Sequence, residues 1–231
     1  MDLPAESYPG LDLMEEVLSL DGVTSEQAAS ALGEPKRKVR TALSALVRLG
    51  LLARERRGRS YLYRRLNGTI LDGFLRSCGS LMPMMLFGAT TSDLSRRFRG
   101  ARSTRMKKAR FAVKLAIDLG LAVRDRRRAV LTERGTVYMM ALEAERIYLE
   151  ETGGRLHYPV PLTPIRRRLE SLGVERELFD GLFPRAVREL VKAKLSPSPP
   201  TSDLVVRDAI RDRRGRLLYF LTIGGVRWIG L

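Results

Sequence analysis

Cysteine and histidine are nearly absent from this 231-residue chain, which holds one of each, Cys78 and His157. A lone cysteine excludes an intrachain disulfide framework and any site built from several thiolates. A single histidine leaves no imidazole set for the usual metalloenzyme centres, and any Ser-His-Asp nucleophile would rest on His157 alone. Side-chain amides are as scarce, with Asn67 and Gln27 the only two. Depletion of these thermolabile residues is a feature of hyperthermophilic proteins. Aromatic residues make up 6%, and no strand motif gathers them, which weakens a single-strand stacking mode. No apolar run approaches the roughly 20 residues of a membrane span; the longest, Leu81 to Ala89, contains Pro83. The opening Met1-Asp2-Leu3-Pro4-Ala5-Glu6 is acidic and lacks the basic-then-apolar layout of a signal peptide.

What is present is an ordinary apolar share, 44%, and a large positive surplus, 42 Lys and Arg against 26 Asp and Glu. The first figure fits a globular chain. Of the 42 cations 35 are Arg, whose planar fork pairs bidentately with phosphate and guanine edges. Arginine also serves surface ion-pair networks at high temperature, so the placement of the charge decides. Residues 1–33 carry seven acids and no base. Residues 34–66 carry eleven bases against Glu34 and Glu55, and residues 93–128 carry thirteen against Asp93, Asp118 and Asp125. Clustering of this kind is the footprint of a polyanion binder.

The basic clusters belong to an internal repeat. Val47-Arg48-Leu49-Gly50-Leu51-Leu52-Ala53-Arg54-Glu55-Arg56-Arg57-Gly58 recurs 70 residues later as Ile117-Asp118-Leu119-Gly120-Leu121-Ala122-Val123-Arg124-Asp125-Arg126-Arg127-Arg128. Upstream, Thr24-Ser25-Glu26 matches Thr91-Ser92-Asp93, and Ile210-Arg211-Asp212-Arg213-Arg214-Gly215-Arg216 is a third, partial copy. A repeat of this length signals a repeated supersecondary unit.

In the first copy Leu11, Met14, Val17 and Leu18 stripe a helix. Thr24 and Gln27 form a capping box for a short second helix that Gly33 stops. Pro35 suits the first turn of a third helix, whose stripe is Val39, Ala42, Leu43, Leu46, Val47 and Leu49. Gly50 ends it, and Leu51 to Tyr63 reads as a hairpin around Arg56-Arg57-Gly58-Arg59. These residues resemble archaeal and bacterial winged helix-turn-helix transcriptional regulators, most nearly the DNA-binding domains of the TrmB-like and ArsR-like groups. Thr24 to Ala29, Leu32-Gly33-Glu34-Pro35, Val39-Arg40, Leu49-Gly50-Leu51 and Gly58-Arg59 with Tyr61 and Tyr63 carry the resemblance. It implies a mainly α chain with small β-hairpins, arranged as tandem winged helices.

The expected layout is a winged helix over 1–68, a second over 69–151, a linker over 152–162, and an α+β region over 163–231 that permits a third. In the second unit the short helix is expected at Thr91 to Arg99, the basic helix at Ser103 to Leu119, and the hairpin from Leu121 to Leu131. A last helix, Val137 to Glu150, carries an apolar stripe that suits core packing, or a homodimer or protein partner. Beyond the linker, helices are expected at Ile165 to Leu172, Val174 to Phe183 and Arg185 to Leu195. Strands are expected near Val205 to Ile210 and Arg216 to Ile223, with one more at Val226 to Ile229.

The major groove of duplex DNA admits one helix, and a few exposed side chains read base edges. The candidates are Lys36, Arg37, Arg40 and Ser44 in the first unit and Arg105, Lys107, Lys108 and Lys114 in the second. Arg57, Arg59, Arg126, Arg127 and Arg128 at the hairpin tips would meet phosphate or the minor groove. Cys78 and Trp228 are expected as core. The sequence offers no catalytic residue, metal ligand or cofactor site, so the expected protein is a cytoplasmic, nucleoid-associated binder of double-stranded DNA and not an enzyme. The alternative is a winged-helix assembly module of a transcription, replication or chromosome machinery, which the acidic Glu15, Glu16, Asp21 and Glu26 would serve.

Overall fold

The computed structural model describes residues 8–197 and 202–229. The chain divides into two compact units, Met1–Thr132 and Glu133–Leu231.

The first unit builds one pattern twice. The first copy is α1 (Leu11–Ser19), β1 (Val23–Thr24), α2 (Ser25–Leu32), α3 (Lys36–Arg48), β2 (Leu52–Arg57) and β3 (Ser60–Arg65). The second is α4 (Ile70–Cys78), a 3₁₀ turn and α5 (Met82–Met85), then β4 (Ala89–Thr90), α6 (Thr91–Ser95), α7 (Arg102–Asp118), β5 (Ala122–Asp125) and β6 (Arg128–Leu131). The sheets share one antiparallel order, β1-β3-β2 and β4-β6-β5. Their helices start alike: Thr24 caps α2 in a capping box with Gln27, and Thr90 caps α6 in one with Asp93. The equivalent of Thr24 is therefore Thr90 and not Thr91, one residue from the sequence match.

The two Leu-Gly-Leu segments sit where helix hands over to hairpin, with the same backbone geometry. Gly50 and Gly120 both have φ of 69°, the left-handed turn that glycine takes without strain. Leu51 N–H donates to Leu46 at 2.9 Å and Leu121 N–H to Ala116 at 2.8 Å; Leu66 and Thr132 close the hairpins on Leu51 and Leu121 at 2.8 and 3.0 Å.

The second unit runs α8 (Glu133–Thr152), β7 (Val160–Pro161), α9 (Leu162–Ser171), α10 (Arg176–Glu189) and β8 (Lys194–Ser196), then α11 (Asp203–Arg207), β9 (Ile210–Arg211), β10 (Leu217–Leu218) and β11 (Phe220–Thr222). Its main sheet has the order β7-β11-β8. That is the pattern of the first unit a third time, with α11 and the β9–β10 hairpin inserted where the other copies turn directly from second strand to third. Thr24, Thr90 and Pro161 occupy one place, each pairing with the third strand (Leu62, Arg128 and Phe220) and each standing at the N-terminal boundary of the next helix, which the two threonines cap with their side chains and Pro161 does not.

Several expectations change. The chain is mixed α/β with small antiparallel sheets rather than mainly α, because each hairpin recruits a third strand only two residues long in the first two copies, too short to leave an alternating pattern. The helix expected over 137–150 spans Glu133–Thr152 and opens the second unit. Of its expected stripe, Val137, Met140, Ala141, Ala144 and Tyr148 are buried and Ile147 is half-buried, and the helix packs on α9, α10 and β7, which takes up most of the face expected for a homodimer or protein partner. The stretch expected as a linker over 152–162 contributes the edge strand β7. Pro184 lies inside one continuous helix rather than between two, held by Phe179, Leu182, Phe183, Ala186 and Val187 buried on either side of it. Half of the strand expected at Val205 to Ile210 is α11 and only Ile210 of it is strand, and Val226 to Ile229 is not a strand.

Candidate nucleic-acid interface

Helix α3 is amphipathic by composition. Val39, Ala42, Leu43, Ala45 and Leu46 are buried, and Lys36, Arg37 and Arg40 are exposed on the other side. Helix α7 buries Ala109, Phe111, Ala112, Val113, Leu115 and Ala116 and leaves Lys107, Arg110 and Lys114 exposed. The two basic sides line one groove of about 990 Å³. From α3 come Lys36, Arg37, Arg40, Thr41 and Ser44; from α7, Lys107, Arg110, Phe111 and Lys114. The first hairpin adds Arg54, Tyr61 and Tyr63, and Tyr8 completes the wall.

The lining obeys the repeat. An offset of 70 residues carries Arg37 to Lys107, Arg40 to Arg110, Thr41 to Phe111 and Ser44 to Lys114. Each copy thus presents the same face to the same groove.

Little of this charge is neutralised within the protein. Lys36 is paired with Glu26, whose carboxyl it holds below the usual carboxylate range by a hydrogen bond and by its charge. The Arg54 guanidinium lies 4.5 Å from the centre of the Tyr61 ring. Among the described residues no carboxylate is paired with Arg37, Arg40, Lys107, Arg110 or Lys114. Like charges gathered without counter-charges repel one another and attract a polyanion from a distance. Tyr8 ties the start of the first copy to α7: its hydroxyl donates to Asp118 Oδ2 at 2.7 Å and its ring meets Phe111 edge-on at 5.4 Å. Burial, then the hydrogen bond to Asp118, pushes the Tyr8 hydroxyl well above the usual phenol range.

The structure gathers six expected residues into the groove: Lys36, Arg37, Arg40, Ser44, Lys107 and Lys114. Arg105 and Lys108 are half-buried and do not line it. Arg57, Arg59, Arg126, Arg127 and Arg128 are exposed on the hairpins, also outside it. The tips turn alike, through Gly58 at φ 58° and Arg126 at φ 52°. Arg54, Arg110, Thr41, Tyr8, Tyr61, Tyr63 and Phe111 were not expected. Arg110 was readable, since the 70-residue offset applied to Arg40 lands on it. The tyrosines and Arg54 carry no such signal.

Elsewhere, Cys78 is buried, and burial raises its thiol above the usual range. Trp228 is buried edge-on to Tyr138 at 6.2 Å. Among the described residues no group of three or more His, Cys, Asp or Glu side chains is placed to hold a metal ion, and no helix is long and apolar enough to cross a membrane. The sequence matches no protein-family model, and comparison with curated proteins finds no relative.

Proposed function

We propose that the chain binds double-stranded DNA through the groove between α3 and α7, as a tandem winged helix-turn-helix protein of transcription or a related genome process. One observation carries the reading: equivalent basic faces of two repeats line the same groove, and among the described residues all their cations but Lys36 lack a carboxylate partner. The order helix, short strand, helix, basic helix and hairpin supports the winged-helix assignment. Because the faces share a groove, Arg37, Arg40, Lys107, Arg110 and Lys114 act on one stretch of backbone rather than on two half-sites a helical turn apart. Phosphate contacts of this kind set affinity and register, and Thr41 and Ser44 add neutral donors between them. The exposed hairpin arginines extend the contact beyond the groove. No residue is assigned a catalytic role, and no cofactor enters.

The test is duplex binding followed by fluorescence anisotropy across a salt series. Neutralising about six phosphates gives a slope of log K against log salt near −5. Arg40→Ala and Arg110→Ala should each weaken binding about tenfold and lower the slope by about one. Combined, they should show coupling, as neighbours on one ligand do. Absence of binding at low salt, or binding indifferent to salt, would refute the proposal.

A further inference from the structure

The second unit has a net charge of only +4, from 17 Lys and Arg against 13 Asp and Glu. Three of those four charges come from six consecutive residues, Arg211 to Arg216, with four arginines and Asp212. They form the β9–β10 hairpin, where Leu217 pairs with Arg211 and Leu218 with Ile210. The hairpin is inserted between β8 and β11, the place that the basic tips occupy in the other two copies.

Its turn is built rather than loose. Asp212 Oδ1 accepts from the backbone N–H of Arg214 at 2.8 Å and of Arg216 at 2.9 Å, and Oδ2 accepts from Arg216 Nε at 2.8 Å. These donors hold the Asp212 carboxyl below its usual range. Gly215, at φ 77°, supplies the reversal, and Arg211 donates to its carbonyl at 3.3 Å. Two arginines are thereby used inside the hairpin. Arg213 and Arg214 are exposed and have no side-chain partner among the described residues. Helix α10, by contrast, offers no basic face of the α3 kind, since its exposed first turn mixes Arg176 with Glu177, and Arg176 is spent on Asp180 and on the Arg207 carbonyl.

We propose that the β9–β10 hairpin is a third wing, a phosphate-binding tip that contacts duplex DNA through Arg213 and Arg214. The third copy has moved its DNA contact from the helix to the hairpin. Asp212 is a positioning residue that splays the two guanidiniums by fixing the turn. This rests on the reading of the chain as a DNA binder, and the experiment separates the two.

Wild type, Arg213→Ala/Arg214→Ala, Arg213→Lys/Arg214→Lys and Arg40→Ala/Arg110→Ala are titrated with a duplex over a salt series, with thermal melts alongside. The double alanine variant is expected to bind about tenfold more weakly at physiological salt, with a slope shallower by about two and an unchanged melt. The double lysine variant keeps both charges and should keep the wild-type slope. Wild-type affinity and slope in the double alanine variant, while Arg40→Ala/Arg110→Ala is impaired, would overturn the third wing and leave the groove standing. A loss of slope in the lysine variant as well would show that the arginines act through structure, which also overturns it. Failure of the wild type to bind DNA would remove both readings together.

Discussion

The two units are built on one topological pattern and differ in how much charge they bury. In Met1–Thr132 the only charged residue buried among those described is Asp72, the N-terminal cap partner of Thr69; the arginines stand outside, many without counter-charges. Among the described residues of Glu133–Leu231 four charged ones are buried: Glu143, Glu145, Arg166 and Asp208. Glu143 accepts from Arg146 and Arg168. Glu145 gathers the backbone N–H groups of Arg227, Trp228 and Ile229 at 2.6, 3.1 and 3.2 Å, so one carboxylate pins the closing segment to α8. The lesson is that a repeated pattern of helices and strands does not fix what its charges do. In the first unit many stand exposed without counter-charges, and in the second several are buried and hold the fold while Arg213 and Arg214 stay exposed.

The largest expected effect on stability tests that contrast directly. Glu145→Ala strands three buried or half-buried donors, and each unmet donor costs on the order of 1–3 kcal/mol. With partial relief by water the loss should be about 3 kcal/mol, read by chemical denaturation. A loss below about 1 kcal/mol would show that the carboxylate does not hold the segment. Burial raises the Glu145 carboxyl above the usual range, opposed by those three N–H groups. A raised folded value means that the stability linked to its proton is complete below the ordinary carboxylate value and is lost as pH rises through the folded one. The stability difference between wild type and Glu145→Gln should therefore shrink with rising pH across that window.

A smaller effect sharpens the account of the first unit, where the two copies must be spaced for their basic faces to share a groove. Gly73 on α4 packs against the first Leu-Gly-Leu turn, and a Cβ there would lie 3.0 Å from both Leu49 Cβ and the Leu49 carbonyl, and 3.1 Å from Leu51 Cδ1. Alanine gains up to about 1 kcal/mol in helix propensity, but overpacking costs about 1–3 kcal/mol. Because a backbone atom is in the way, Gly73→Ala should lose about 1 kcal/mol net. Unchanged or raised stability would mean that the copies separate without cost.

Much of the first unit was legible because its signals are local. The Thr24 capping box, the glycines at 33, 50 and 120 and the hairpins around Arg57 and Arg126 each follow from a few neighbouring residues. The groove was not legible as a groove, since its walls lie 70 residues apart and Arg54 and Tyr61 reach it from strands. The second unit was read less well for three physical reasons. Pro184 gave a break signal that tertiary packing overrides. The short strand β7 is masked by Pro161 within it and Pro159 just before it. Glu145 looks like any helical surface glutamate until Trp228 is folded against it.

The smallest expected effect separates two kinds of buried charge. The side chain of Arg166 is almost fully buried, with its guanidinium paired with Asp180 and 4.3 Å from the Phe179 ring centre, yet Nε and Nη1 have no partner among the described residues. A buried cation satisfied on one side keeps much of its desolvation cost. Replacing it with methionine, of similar reach and wholly apolar, removes that cost along with the ion pair. Asp180 is not stranded, because it is part-exposed and Arg176 Nε lies 3.7 Å away. Gains and losses should nearly cancel, so Arg166→Met should change stability by less than about 1 kcal/mol in either direction. Glu145, whose oxygens serve three donors that cannot leave, has no such substitute. A loss of 3 kcal/mol or more in Arg166→Met would show that the two donors are satisfied in solution, by ordered water or an anion, and that Arg166 belongs with Glu145 among the charges that hold the unit together.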